Sequence, residues 1–168
     1  ISVSFSSAQE NRIISNDIWG ANQNFGVFIA SARSTWIIQN DIHNNEIYGV
    51  YINANVSNVI VDQNRIYSNS TSGIEMDNDS AESIKIRSNA IWGGGQNYGI
   101  VISDIDNTLV YFNQIYGNLI CGIDIYNAAV NNQIIGNTVY NNVSYGIWTS
   151  SDNADSNKII SNNISGGN

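Results

Sequence analysis

Residues 110–125 read V-Y-F-N-Q-I-Y-G-N-L-I-C-G-I-D-I, and residues 134–149 read I-I-G-N-T-V-Y-N-N-V-S-Y-G-I-W-T, 24 positions later. Superposed, the two share an aliphatic residue (Val110, Ile134), an Asn three further on (Asn113, Asn137), then Ile115 or Val139, then Tyr116 or Tyr140. Both close on Gly-Ile, at Gly122-Ile123 and Gly146-Ile147. Working outward, the triplet Asn-x-Ile/Val recurs at Asn16, Asn40, Asn64, Asn89, Asn113, Asn137 and Asn162, at spacings of 24 or 25. Gly followed by an aliphatic residue runs in phase at Gly26, Gly49, Gly73, Gly99, Gly122 and Gly146. Within each unit apolar residues alternate with period two and are mostly β-branched, which predicts three short strands joined by turns and excludes a helix.

A unit of this size cannot bury its aliphatic face alone, so successive units must stack and share one core. Equivalent strands then pair in parallel sheets, about 4.8 Å per coil. The recurring Asn is expected to take the left-handed backbone of a tight turn and to hydrogen-bond its neighbour one coil on as an amide ladder. This set of motifs resembles the right-handed parallel β-helix family, the pectate-lyase-like repeat proteins. The resemblance implies one all-β domain over residues 1–168, a right-handed single-stranded parallel β-helix of about seven coils without evident caps. It leaves function open, because that family spans lyases, hydrolases, epimerases, phage tail proteins and non-catalytic surface proteins.

Composition narrows the partners. Six Lys and Arg stand against fourteen Asp and Glu, for a net charge of -8, which argues against nucleic acid and acidic lipid surfaces. No apolar run approaches the roughly 20 residues of a membrane-spanning helix. Asn and Ile together supply about a third of the chain, Pro is absent, and the lone Cys121 rules out an intramolecular disulfide.

The column two residues after each Gly reads Phe28, Tyr51, Glu75, Val101, Asp124, Trp148. It is the face on which the resemblance would put a polysaccharide groove. Glu75 and Asp124 stand two coils apart, about 9.6 Å by strand spacing, near the upper end of the roughly 6.5–9.5 Å of an inverting carboxylate pair. Two solvated acids are the plain alternative. Lys85 and Arg87 are the candidate bases of a lyase, although Arg87 stands one coil from Asp62 in register for an ion pair. Three residues after the first six marker Asn come Trp19, His43, Tyr67, Trp92, Tyr116 and Tyr140, and after the seventh Ser165; the six rings form a column that stacks on itself or, with Trp148, binds sugar faces. The column before each Gly (Phe25, Tyr48, Ser72, Tyr98, Cys121, Tyr145) is expected to point inward, leaving Cys121 an inert buried thiol. Acidic turns at Asp77, Asp79, Asp104 and Asp106 are weak calcium candidates; otherwise no cofactor is expected.

The chain begins inside a strand and stops in a corner, as either a segment of a longer helix or a subunit whose ends complete each other. The assembly residues would be Ile1, Val3, Phe5, Asn162 and Ile164, stacking head to tail. Regular coils, missing caps and no clear active site make a non-catalytic extracellular structural protein the first expectation, a subunit or segment of a cell-surface filament, sheath or surface layer. The alternative is a polysaccharide-binding or polysaccharide-cleaving module. A phage tail or adhesin shaft is a third possibility.

Overall fold

The computed structural model describes residues 1–77 and 83–166. Short strands fall into three seven-stranded parallel sheets, and each strand pairs with its equivalent one coil away. The first sheet runs from Ser2–Val3 through Phe25–Ile29, Tyr48–Ile52, Ser72–Asp77, Tyr98–Ser103 and Cys121–Tyr126 to Tyr145–Thr149. The second runs from Gln9–Ile14 to Lys158–Ile160, the third from Asp17–Gly20 to Asn163–Ser165. The chain is therefore an all-β parallel solenoid of about seven coils, with no helix among the described residues and none that could cross a membrane.

The aliphatic columns make the core. Ile29, Ile52, Met76, Ile102 and Ile125 of the first sheet meet Ile37, Val61, Ile86, Val110 and Ile134 of the second and Ile42, Ile66, Ile91, Ile115 and Val139 of the third, all fully buried. At the far coil the equivalent Ile159 and Ile164 are exposed, as are Ile1 and Phe5 at the near one; Val3 packs against the core and Asn162 closes the amide ladder.

That ladder forms as expected. Each marker Asn from Asn16 to Asn137 donates its Nδ2 to the Oδ1 of the next at 2.9–3.0 Å, ending on Asn162. The same Oδ1 atoms also accept the backbone N–H of the preceding Asn. The left-handed residue is not the Asn, however, but its predecessor: Ser15, Gln39, Gln63, Ser88, Phe112, Gly136 and Ser161 all have φ between 53° and 63°. Turning the chain one residue early lets the Asn point into the coil and reach both neighbours, and that gain holds even Phe112 in a conformation costing on the order of 1 kcal/mol.

A second ladder lies at the corner between the third and first sheets: Gln23, Asn45, Asn69, Gln96, Asn118 and Asn142. In the coils where this amide follows the marker Asn by seven residues instead of five it is Gln, at Gln23 and Gln96, so its extra methylene goes with the longer corner. Asn69 and Asn142 sit in Asn-x-Ser/Thr triplets but are fully buried in this ladder.

The marker glycines sit where the backbone enters the first sheet. A Cβ on Gly99 would stand 2.5 Å from both Gly122 O and Ile115 Cγ2. Gly and the following aliphatic residue both face inward there, which breaks the period-two alternation. The residue before each Gly is consequently turned outward, correcting the inward orientation expected for Phe25, Tyr48, Ser72, Tyr98, Cys121 and Tyr145. Gly99→Ala is expected to cost roughly 1–3 kcal/mol through this overpacking, read as a lower urea midpoint at unchanged slope.

Candidate functional site

Because of that break, two outward columns lie side by side on the first sheet. Ser72, Tyr98, Cys121 and Tyr145 are in register in one; Tyr51, Glu75, Val101, Asp124 and Trp148 are in register in the other. Towards the near end the columns are all aromatic, with Phe25, Phe28, Tyr48 and Tyr51 packed at centroid distances of 5.0–5.6 Å. Towards the far end Tyr145 stacks on Trp148 at 4.7 Å. Between these ring clusters lies a cleft of ≈ 380 Å³ lined by Thr71, Ser72, Glu75, Tyr98, Val101, Asp124, Tyr126, Trp148 and Ser150. Cys121 is buried beside it. Its thiol, pushed up to about 12 chiefly by burial, is inert at neutral pH.

Both carboxylates singled out from the sequence line this cleft. Burial pushes the Glu75 carboxyl up from 4.5 to about 7; a 2.7 Å hydrogen bond from Ser72 Oγ opposes the rise, and the charges of Asp77 and Asp124 add to it. Asp124 is only 6% exposed, and burial raises its carboxyl too, against a 2.7 Å hydrogen bond from Ser150 Oγ. Register places Val101 between them, so their strand positions stand about 9.6 Å apart at 4.8 Å per coil. Neither is a solvated surface acid. A raised carboxylic acid and a second carboxylate held across one cleft can move protons to and from a bound substrate near neutral pH. Of the two hydroxyls that tune these acids, Ser72 is signalled only as a break in a column of rings that Cys121 also breaks, and Ser150, just past the last first-sheet strand, carries no signal in the repeat.

The remaining candidates lie elsewhere. Arg87 is paired with the buried Asp62 at 2.8 Å and donates to Tyr111 Oη, while Lys85 lies in register between Ile60 and Leu109; both are on the second sheet, away from the cleft. The corner column forms a continuous stack, with Trp19, His43, Tyr67, Trp92, Tyr116 and Tyr140 within 10° of parallel and 4.3–6.4 Å apart. Neighbouring rings cover each other's faces, so sugar stacking on Tyr67, Trp92 and Tyr116 has only ring edges to meet. Arg65 lies over Tyr67 and Trp92 and pairs with Asp41 at 2.8 Å. Asp104 and Asp106 accept backbone N–H bonds from Ala128 and Val130 of the next coil. Asp77 ends a first-sheet strand, and Asp79 lies outside the described residues. No three His, Cys, Asp or Glu side chains among the described residues are placed to share a metal ion.

The family profile "Right handed beta helix region" matches residues 1–103, and "Periplasmic copper-binding protein (NosD)" matches residues 57–168. A mannuronan C5-epimerase of Pseudomonas putida is 28% identical over 116 residues, 66% of this chain and 21% of the relative. Another from Pseudomonas syringae pv. tomato is 32% identical over 82 residues, 48% of this chain and 14% of the relative. The chain thus spans about a fifth or less of the length of these relatives. The crystal structure of the periplasmic alginate epimerase AlgG superposes with a TM-score of 0.82 over 93% of this chain and 40% of that one, at 23% identity, which is a likeness of fold. A bacteriophage CBA120 tailspike domain follows at TM-score 0.57 and 11% identity, over 96% of this chain and 33% of that one.

Copper does not suit the side chains present. The soft donors are single and scattered: His43 in the corner stack, Met76 in the core, Cys121 buried with a raised thiol. The expectation of a non-catalytic filament or sheath subunit is overturned, since the relatives matched by sequence are enzymes named for a polysaccharide. That expectation took regular coils as a sign of a purely structural role, whereas a solenoid can carry desolvated acids on a sheet face without disturbing its repeat. With each profile matching more than half of its length, the chain belongs to the right-handed β-helix repeat proteins that these two family descriptions cover.

Proposed function

We propose that the chain is a polysaccharide-acting β-helix module that takes a glycan along the first-sheet groove, with the reacting linkage between Glu75 and Asp124. The observation that carries this is the pair of desolvated carboxylates facing one cleft between aromatic clusters. Tyr98 and Trp148 supply ring surface for the apolar faces of sugars. Glu75, with its carboxyl near 7, is the proton donor to the departing oxygen. Asp124, whose ionised form is hydrogen-bonded by Ser150, takes the proton from the attacking water. The names of the relatives support polysaccharide as the substrate class, and the description periplasmic, attached to AlgG and to NosD, supports a place on the outer side of the cytoplasmic membrane. C5 epimerisation, for which the relatives are named, would use two proton-transfer groups as well and is the second reading.

The test is a panel of neutral and uronate glycans incubated with the protein, followed by reducing ends, product mass and, for uronates, proton NMR of the C5 configuration. Turnover of at least one glycan is expected, along with at least a tenfold weaker apparent affinity in Trp148→Ala. Binding to no glycan, or turnover unchanged in the Glu75→Gln/Asp124→Asn double variant, would remove the site.

A further inference from the structure

We infer that the groove selects neutral glycan chains over polyuronates, an inference that rests on the polysaccharide reading of the same cleft. The six Lys and Arg of the chain are unevenly placed. Arg12, Arg33, Lys85, Arg87 and Lys158 lie in strands of the second sheet and Arg65 in one of the third; the first sheet has none. The sole histidine, His43, lies in the third sheet. In the middle coils Arg87 is held by Asp62 and Tyr111 and Arg65 by Asp41, while Lys85 is exposed on the second sheet.

The cleft offers a different set of groups. Its lining combines hydroxyls and rings with two carboxylates and contains no cationic side chain. Ionised acids in a desolvated cleft accept hydrogen bonds from sugar hydroxyls well, and rings cover sugar C–H faces. A polyuronate brings a negative charge on every residue. Drawn along the groove, it would set those charges beside Glu75 and Asp124, where low effective dielectric strengthens repulsion. Specificity built on such a repulsive element separates ligands of the same shape by charge alone. The relatives are named for mannuronan, so selection of neutral chains would set this groove apart from the substrate in their names.

A matched pair of probes isolates charge from shape: mannuronan oligomers, and the same oligomers with each carboxyl reduced to a primary alcohol. Binding is measured by calorimetry at pH 8 and low salt, with EDTA present so that no divalent ion bridges acid to acid. The reduced oligomer, or another neutral glycan if the linkage is wrong, is expected to bind at least tenfold more tightly than the charged one. In the Glu75→Gln/Asp124→Asn variant that ratio should fall towards one. Equal or tighter binding of the charged oligomer overturns the selectivity while leaving the polysaccharide reading intact. Binding of neither probe, nor of any neutral glycan, overturns both.

Discussion

Replacing Asn89 with Leu lowers the unfolding free energy by about 4 kcal/mol, four hydrogen bonds at about 1 kcal/mol each; Asn64 Nδ2 keeps Ile37 O and Asn113 Oδ1 keeps the backbone N–H of residue 89. The side chain is of similar size, so little of this loss comes from packing. Asn89 Oδ1 accepts from Asn64 N at 2.9 Å and from Asn64 Nδ2 at 3.0 Å, and Asn89 Nδ2 donates to Asn113 Oδ1 and Val61 O at 3.0 and 2.9 Å. Leu can neither donate nor accept, and no water reaches the rung to compensate, because Asn64, Asn89 and Asn113 are all buried. Against a total stability typically about 5–15 kcal/mol, a loss of this size leaves a marginal fold. The control is Asn16→Leu at the exposed first rung, where the side chain only donates, to Asn40 Oδ1 and Ile14 O. It should cost no more than about 1 kcal/mol, the value of an ordinary hydrogen bond. Urea unfolding of the two variants measures the difference. Equal losses at both rungs would show that the ladder is not what holds the corner.

The same rung explains how much the sequence could reveal. A ladder needs identical chemistry at the same place in every coil, so it is written as an in-phase repeat, and the inward aliphatic columns follow it. What escapes is whatever alters the phase locally. The second amide ladder is hidden because Gln23 and Gln96 sit two positions late and change residue type to compensate. Strict alternation puts the column before each Gly in the core, whereas two consecutive residues face inward at that position and turn the column out. Glu75 and Asp124 were visible as acids interrupting an aromatic column. Their burial and their hydroxyl partners were not, since Ser72 comes from a column wrongly turned inward and Ser150 lies beyond the last paired strand position. Desolvation is a property of neighbouring coils together, and no single repeat encodes it.

Desolvation also has a cost that Glu75→Gln should uncover. At pH 8 this variant is expected to be the more stable protein and the inactive one. Burial raises the Glu75 carboxyl from 4.5 to about 7, so the folded protein keeps a proton that the unfolded chain releases between those values. Native stability therefore falls as pH climbs from about 4.5 to about 7, and levels off above, where both states are ionised. At about 1.4 kcal/mol per pKa unit, the penalty at pH 8 is at most about 3.5 kcal/mol, less whatever solvent screens at this half-buried side chain. Burial sets most of it, the hydrogen bond from Ser72 opposes it, and the charges of Asp77 on its own strand and Asp124 two coils on add to it. Gln stays neutral throughout and keeps an oxygen to accept from Ser72 Oγ, so the two proteins should match near pH 4 and diverge as pH rises from about 4.5 to about 7. Loss of the proton donor should at the same time lower turnover by roughly 10²–10⁴-fold. Unfolding curves across pH 4–8, run beside an assay on the glycan that the panel identifies, check both halves. A variant that is destabilised at pH 8 would contradict the burial of the charge. A variant that is stabilised but fully active would show that Glu75 takes no part in the chemistry. A shaft with only a structural task would gain from the neutral side chain at this position, so a half-buried acid held at this cost on an outer sheet face is better explained by work done on a ligand.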